Sequence, residues 1–183
     1  KALNGLRVKS GPSGAPTRGK LEVLPTGKNF YSVDIRAIPT ETAWDLGQRS
    51  SERIIEFYLQ ENGEHLTHLA MSIWGTSTMR NGGEDICQLF ALMGLQPLWD
   101  GTLRRVIDLE IIPLEVLNRP RVDVTLRISG LFRDAFPQVI DLIKRGQMLI
   151  GHLNEPESMN PLASSFRNGD NNSRIYGSAP GSY

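Results

Sequence analysis

One cysteine, Cys87, stands in a chain of 183 residues. A lone thiol excludes an internal disulfide and any zinc site built from several thiolates, the pattern of a reducing compartment, so the cytoplasm is the expected location. Net charge is missing as well. Twenty Lys and Arg balance twenty Asp and Glu, and without a basic excess no nucleic-acid partner is expected. Long apolar runs are also lacking: Leu89 to Leu95, interrupted by Gly94, falls far short of the roughly 20 residues that span a bilayer, so no membrane span is expected. There is no initiator Met, basic n-region or signal-peptide h-region at Lys1, and a Gly/Ser/Pro run leads into Tyr183; both ends read as cut from something longer.

What is present is a globular composition, 39% hydrophobic and 22% charged, in a chain long enough to bury roughly 70% of its unfolded surface. Residues 1–24 read as a loop-rich linker, 25–155 as an α/β domain, and 156–183 as a polar, partly disordered tail belonging to a larger parent. Thr40 followed by Glu41 signals a helix start. The stripe Ala43, Trp44, Ile54, Ile55, Tyr58 and Leu59 carries that helix to Asn62-Gly63. A strand at Leu69–Trp74, a turn-forming loop from Gly75 to Gly83 and a helix from Glu84 to Met93 closed by Gly94 follow. Strands at Leu95–Trp99, Arg105–Ile112 and Val122–Ile128 precede a helix from about Arg133 to Arg145, which Gly146 is expected to end. Strands alternating with helices through short Gly-containing loops predict an open, mostly parallel α/β sheet, Rossmann- or flavodoxin-like, with helices on both faces and loop-rich ends. Ligands of such sheets sit beyond the carboxyl ends of the strands, here the loops after Trp74 and Ile128.

Several motifs look chemical. Gly14 to Lys20 has phosphate-loop spacing, but Leu21 replaces the hydroxyl residue that would hold magnesium and Pro16 removes a needed N–H, so nucleotide binding is not expected there. His65 and His68 lack a third ligand nearby and read as an incidental exposed pair. Two readings stand for Glu84 and Asp85. They complement a helix dipole, worth about 0.3–1 kcal/mol, or Glu84 is held ionised at the mouth of a cleft to accept a proton or ligate a divalent cation. Ser129 to Asp134 is the counterpart after the later strand: Phe132 stacks on a flat ligand and Arg133 meets a ligand carboxylate, or the segment simply caps a helix.

Leu24 to Asp34, Trp74-Gly75-Thr76, Gly82-Gly83-Glu84-Asp85, Arg119 to Val124 and Ser129 to Phe136 together resemble the large, porphyrin-binding subunits of cobaltochelatase and magnesium chelatase. Phe30 to Asp34, Arg80, Gly82 to Asp85, residues 12–19 and Arg174 to Tyr183 look like the cobaltochelatase branch. Ser77 departs from the acidic residue usual after Trp-Gly-Thr. The resemblance implies an internal segment of a larger subunit that inserts Co²⁺ into a corrin precursor, with ATP hydrolysed on AAA+ and other partner chelatase subunits. Mg²⁺ insertion into protoporphyrin IX, or a non-catalytic tetrapyrrole-binding or docking module, are the alternatives it leaves. It implies roles for Glu84 as proton acceptor and transient metal ligand, for Asn29, Asp34 and Thr76 at the macrocycle edge or incoming metal, and for Arg133 at a peripheral carboxylate.

Overall fold

The computed structural model describes residues 1–12, 14, 21–25, 27, 34–170 and 172–182. They fall into two units, Lys1–Ile35 and Arg36–Tyr183. In the first, short 3-10 turns occupy Ala2–Asn4 and Leu21–Val23; Asn29 and all but Gly14 of the phosphate-loop look-alike lie outside the described residues.

In the second unit, α1 (Glu41–Asn62) starts where Thr40 accepts the Ala43 N–H and stops at Gly63, whose φ of 71° is left-handed. Strand β1 (His68–Ile73) leads into α2 (Gly75–Asn81) and α3 (Glu84–Met93), then β2 (Leu95–Trp99) and β3 (Val106–Ile111) form an antiparallel hairpin. After the single turn α4 (Leu114–Leu117) come β4 (Asp123–Ile128), α5 (Gly130–Ala135), α6 (Pro137–Gly151), α7 (Pro161–Arg167) and β5 (Ile175–Gly177).

Two parallel pairings, β1 with β4 and β4 with β5, make a three-stranded sheet in the order β1-β4-β5. The core is built around α3. Ile86, Leu89, Phe90, Leu92 and Met93 are all at most 1% exposed, because α1 packs on one side of α3 while β4 and β2 border it elsewhere. Close approach of α1 requires small residues: Ala43, Gly47 and Ser51 are buried along one stripe of it. The expected Ile54, Ile55 and Tyr58 are only half-buried and Leu59 is exposed, so the apolar stripe holds in its first half alone.

The α/β class with a parallel sheet is as the sequence predicts, and the layout differs in four respects. The segment expected as a loop from Gly75 to Gly83 is largely the helix α2, whose start hugs α5: a Cβ on Gly75 would lie 2.9 Å from Leu131 Cγ. The helix expected over 133–145 is two helices, and Gly146 lies inside the second rather than ending it. A Cβ there would meet Leu95 Cδ1 at 2.8 Å, so that glycine serves packing against the hairpin. Residues read as tail include α7, with Leu162 and Ala163 buried, and the third sheet strand β5. Finally, β2 and β3 pair with each other and not with the parallel sheet, and among the described residues the face bearing Ser72, Arg127 and Tyr176 is exposed where helices on both faces were expected.

Candidate functional site

At the carboxyl end of the sheet the loops after β1 and β4 are tied together. Ser129 Oγ accepts the Gly75 N–H at 3.2 Å and the Phe132 N–H at 3.1 Å, capping α5 and fixing the start of α2 with one oxygen. Thr76 is exposed there, beside Trp74, which is 58% exposed. Arg133 is half-buried; its Nε donates to the Ser178 carbonyl at 2.8 Å, just past β5. Asp134 accepts the Gly181 N–H at 2.9 Å. Phe132 is fully buried with its ring 5.2 Å from that of Phe136, so it is a core residue and offers no face to a ligand.

Glu84 sits at the other end of α2. Gly82 and Gly83 take φ of 77° and 91°, a left-handed pair that only glycines adopt without strain, and this reverses the chain into α3. Asn81 Oδ1 accepts the N–H groups of Gly83 at 3.0 Å and Glu84 at 3.3 Å, and Asn81 Nδ2 donates to Glu84 Oε2 at 3.4 Å. The Thr40 N–H donates to the Gly82 carbonyl at 3.0 Å, so the starts of α1 and α3 lie side by side. Glu84 is half-buried and its carboxylate faces no cation among the described residues. Beside it burial raises the Asp85 carboxyl, and burial with the nearby Glu84 charge raises the Cys87 thiol far above its ordinary range. Cys87 is therefore an inert core thiol.

The structure thus brings Thr76 and Arg133 to one end of the sheet and holds Glu84 apart by the length of α2, ~10 Å for a seven-residue helix. Asp34 is half-buried and belongs to the first unit. Asn29 lies outside the described residues. His65 and His68 are exposed, and no group of three or more His, Cys, Asp or Glu side chains able to hold a metal occurs among the described residues.

A charged anchor at the far end of α3 is absent from the sequence reading. Arg119 donates to the carbonyls of Ala91 at 2.6 Å and Leu92 at 3.1 Å, and Arg121, 1% exposed, donates to those of Met93, Gly94 and Ile112. Burial and the neighbouring Arg121 charge lower the Arg119 guanidinium to about 10. Glu155 receives Arg121 through two bonds of 2.8 and 2.9 Å and the buried Asn160 at 2.7 Å. Burial alone would raise Glu155, but these donors and the Arg121 charge hold it below its ordinary value. Acids at the start of α3 and arginines at its end both favour the helix dipole. A basic pair flanking Pro120 just before a strand, and Asn160-Pro161 as cap and first helical residue, are the sequence signals for this anchor and for α7.

A family model described as CobN/Magnesium Chelatase matches residues 1–183. The chain belongs to that family. It is 51% identical over 179 residues to the aerobic cobaltochelatase subunit CobN of Pseudomonas aeruginosa, covering 98% of this chain and 14% of that protein. It is 36% identical over 194 residues to the chloroplastic magnesium-chelatase subunit ChlH of Oryza sativa, with 100% and 14% covered. The solved catalytic subunit of cobaltochelatase from Mycobacterium tuberculosis superposes with a TM-score of 0.82 at 44% identity, over 100% of this chain and 16% of that one. This CobN/magnesium chelatase segment thus spans about a seventh of the length of the relatives it matches. None of its described helices is long and apolar enough to cross a membrane.

Proposed function

We propose that this chain is a segment of the tetrapyrrole-binding subunit of an ATP-dependent chelatase that inserts Co²⁺ into a corrin precursor in cobalamin biosynthesis. The observation that carries the choice of metal is the difference between 51% identity to a cobaltochelatase subunit and 36% to a magnesium-chelatase subunit, each over nearly the whole chain. ATP is hydrolysed on AAA+ and partner subunits, and the complex works in the cytoplasm, in keeping with the buried, unpaired Cys87.

Metal insertion forms four metal–nitrogen bonds and displaces the inner N–H protons of the ring, two from a porphyrin and one from a corrin, so the site needs a base and a weak ligand that strips water from the ion without trapping it. Glu84 takes both parts in succession: its carboxylate holds the hydrated ion, hands it to the ring nitrogens and, once free, accepts a proton and passes it to solvent. Its position supports this. The left-handed Gly82-Gly83 turn and the Asn81 bonds fix its backbone, while no cation among the described residues neutralises it. Thr76, Asn29 and Asp34 contact the macrocycle edge or the incoming metal, and Arg133 uses its remaining N–H groups on a peripheral carboxylate.

Glu84→Gln, carried in a full-length large subunit assembled with its ATPase partners, tests this reading. Chelation is expected to fall sharply with tetrapyrrole affinity nearly unchanged, whereas equal loss of both would reassign Glu84 to binding or folding. Supplying Co²⁺ with the corrin precursor, or Mg²⁺ with protoporphyrin IX, to the unmodified complex tests the metal.

A further inference from the structure

The exposed face of the parallel sheet carries an ordered row of side chains. Register pairs Ser72 with Arg127 and Arg127 with Tyr176, so the three stand side by side across β1, β4 and β5. Adjacent strands are about 4.8 Å apart, giving the row a span of roughly 10 Å. A hollow of about 350 Å³ lies over it, lined also by Ala70, Thr125 and Gly177. Tyr176 is 55% exposed, and Ser72 and Arg127 are exposed as well.

The row holds one cation, Arg127, set apart from the other exposed arginines by its neighbours on the sheet face. Arg119, Arg121, Arg133, Arg167 and Arg174 all donate to carbonyls or carboxylates. The Arg127 guanidinium has no hydrogen-bond or ion-pair partner among the described residues. The acid on the same face of β4 is Asp123, four residues back, and it is already paired with Arg174 at 3.2 Å. A free planar guanidinium, hydroxyls from Ser72 and Thr125 on neighbouring positions, and an exposed phenol ring form a surface complementary to a flat ligand bearing a carboxylate. An isolated cation in a chain of zero net charge provides no field for a phosphate backbone.

We propose that the Ser72–Arg127–Tyr176 row is a recognition site for a peripheral carboxylate of a flat, polycarboxylated macrocycle, with Arg127 pairing the carboxylate and Tyr176 lying against the ring. This rests on the tetrapyrrole reading above and adds to it a site on the sheet face, separate from Glu84 and from the α2–α5 end. Arg127 is the specificity-determining residue. It selects for negatively charged ring substituents.

The test is a titration of a full-length large subunit carrying this segment with uroporphyrin, an octacarboxylate, and with a tetracationic N-methylpyridyl porphyrin, followed by porphyrin absorbance, for the wild type, Arg127→Gln and Arg127→Lys. The wild type is expected to bind uroporphyrin. Arg127→Gln should weaken that binding about tenfold, the loss of one charge-assisted contact. Arg127→Lys should fall between the two, with circular dichroism and thermal midpoint unchanged because the side chain is exposed and unpartnered. The cationic porphyrin should bind no more weakly to Arg127→Gln than to the wild type. Unchanged uroporphyrin affinity in Arg127→Gln overturns the inference, leaves the face to another occupant such as an acidic protein segment, and lets the tetrapyrrole reading stand. Failure of the full-length subunit to bind uroporphyrin overturns the inference, and failure to bind the corrin precursor as well overturns the tetrapyrrole reading.

Discussion

Ser129 Oγ accepts a hydrogen bond from the backbone N–H of Gly75, 54 positions earlier in the chain, while also capping α5 through Phe132. Two loops that follow neighbouring parallel strands are thereby locked by one hydroxyl. Ser129→Ala removes the one acceptor of both bonds at a part-buried position and is expected to cost about 1–2 kcal/mol in urea unfolding. Ser129→Thr or Ser129→Asp, which retain an oxygen acceptor, should recover most of that. A loss below a few tenths of a kcal/mol would mean the two loops are held by packing of Gly75 on Leu131.

Gly47 allows α1 to lie on α3. A Cβ at that position would stand 2.6 Å from Cys87 Cβ, 2.6 Å from the Gln88 N and 2.8 Å from the Glu84 carbonyl. Two of these are backbone atoms that no rotamer change can move. Gly47→Ala should therefore destabilise the fold by about 1–3 kcal/mol despite alanine's better helix propensity. Because the displaced atoms include the Glu84 carbonyl, the same change in a full-length subunit should lower chelation. Thermal unfolding alongside a chelation assay checks both.

Arg121 and Glu155 form the mostly buried ion pair of the α3 anchor, with side chains 1% and 16% exposed. Removing one partner by Glu155→Ala leaves the guanidinium with three carbonyls but no counter-charge, and should cost about 3 kcal/mol. The pH dependence has a definite sign. Glu155 lies below its ordinary value in the folded state, so its contribution is full above the unfolded carboxyl value of about 4.3 and disappears as pH falls through the lower folded value. Urea midpoints at pH 7, 5 and 3 should fall more steeply at the acid end for the wild type than for Glu155→Gln. Parallel profiles would contradict the assignment.

How much of this was legible in the sequence follows from where local chemistry decides the outcome. Thr40-Glu41 and Asn62-Gly63 bound α1, and Glu84 and Gly94 bracket α3, because caps and a left-handed stop are encoded by the residues themselves. Gly146 lies inside α6 although its sequence signals a helix end, because a glycine that ends a helix and one that admits Leu95 and Leu109 look identical in one dimension. β5 is not legible in the sequence because Ile175-Tyr176-Gly177 becomes a strand only by pairing with β4, a tertiary effect that overrides the polar composition around it. At the site, adjacency in the resemblance did not translate into adjacency in space. Thr76 and Arg133 share an end of the sheet, while Glu84 is eight residues and one helix away from Thr76. In the sequence Arg127 is one arginine among many; only the folded register sets it between Ser72 and Tyr176 on an exposed sheet face.

The most direct test of the central claim is metal insertion by Glu84→Gln in a full-length large subunit, measured with its ATPase partners and set beside tetrapyrrole affinity of the same protein. Glu84→Gln is expected to lose insertion by about a hundredfold or more, the scale of losing a positioned proton acceptor, with affinity nearly unchanged. Wild-type insertion by Glu84→Gln would contradict that claim and leave Glu84 as a carboxylate that only complements the dipole of α3.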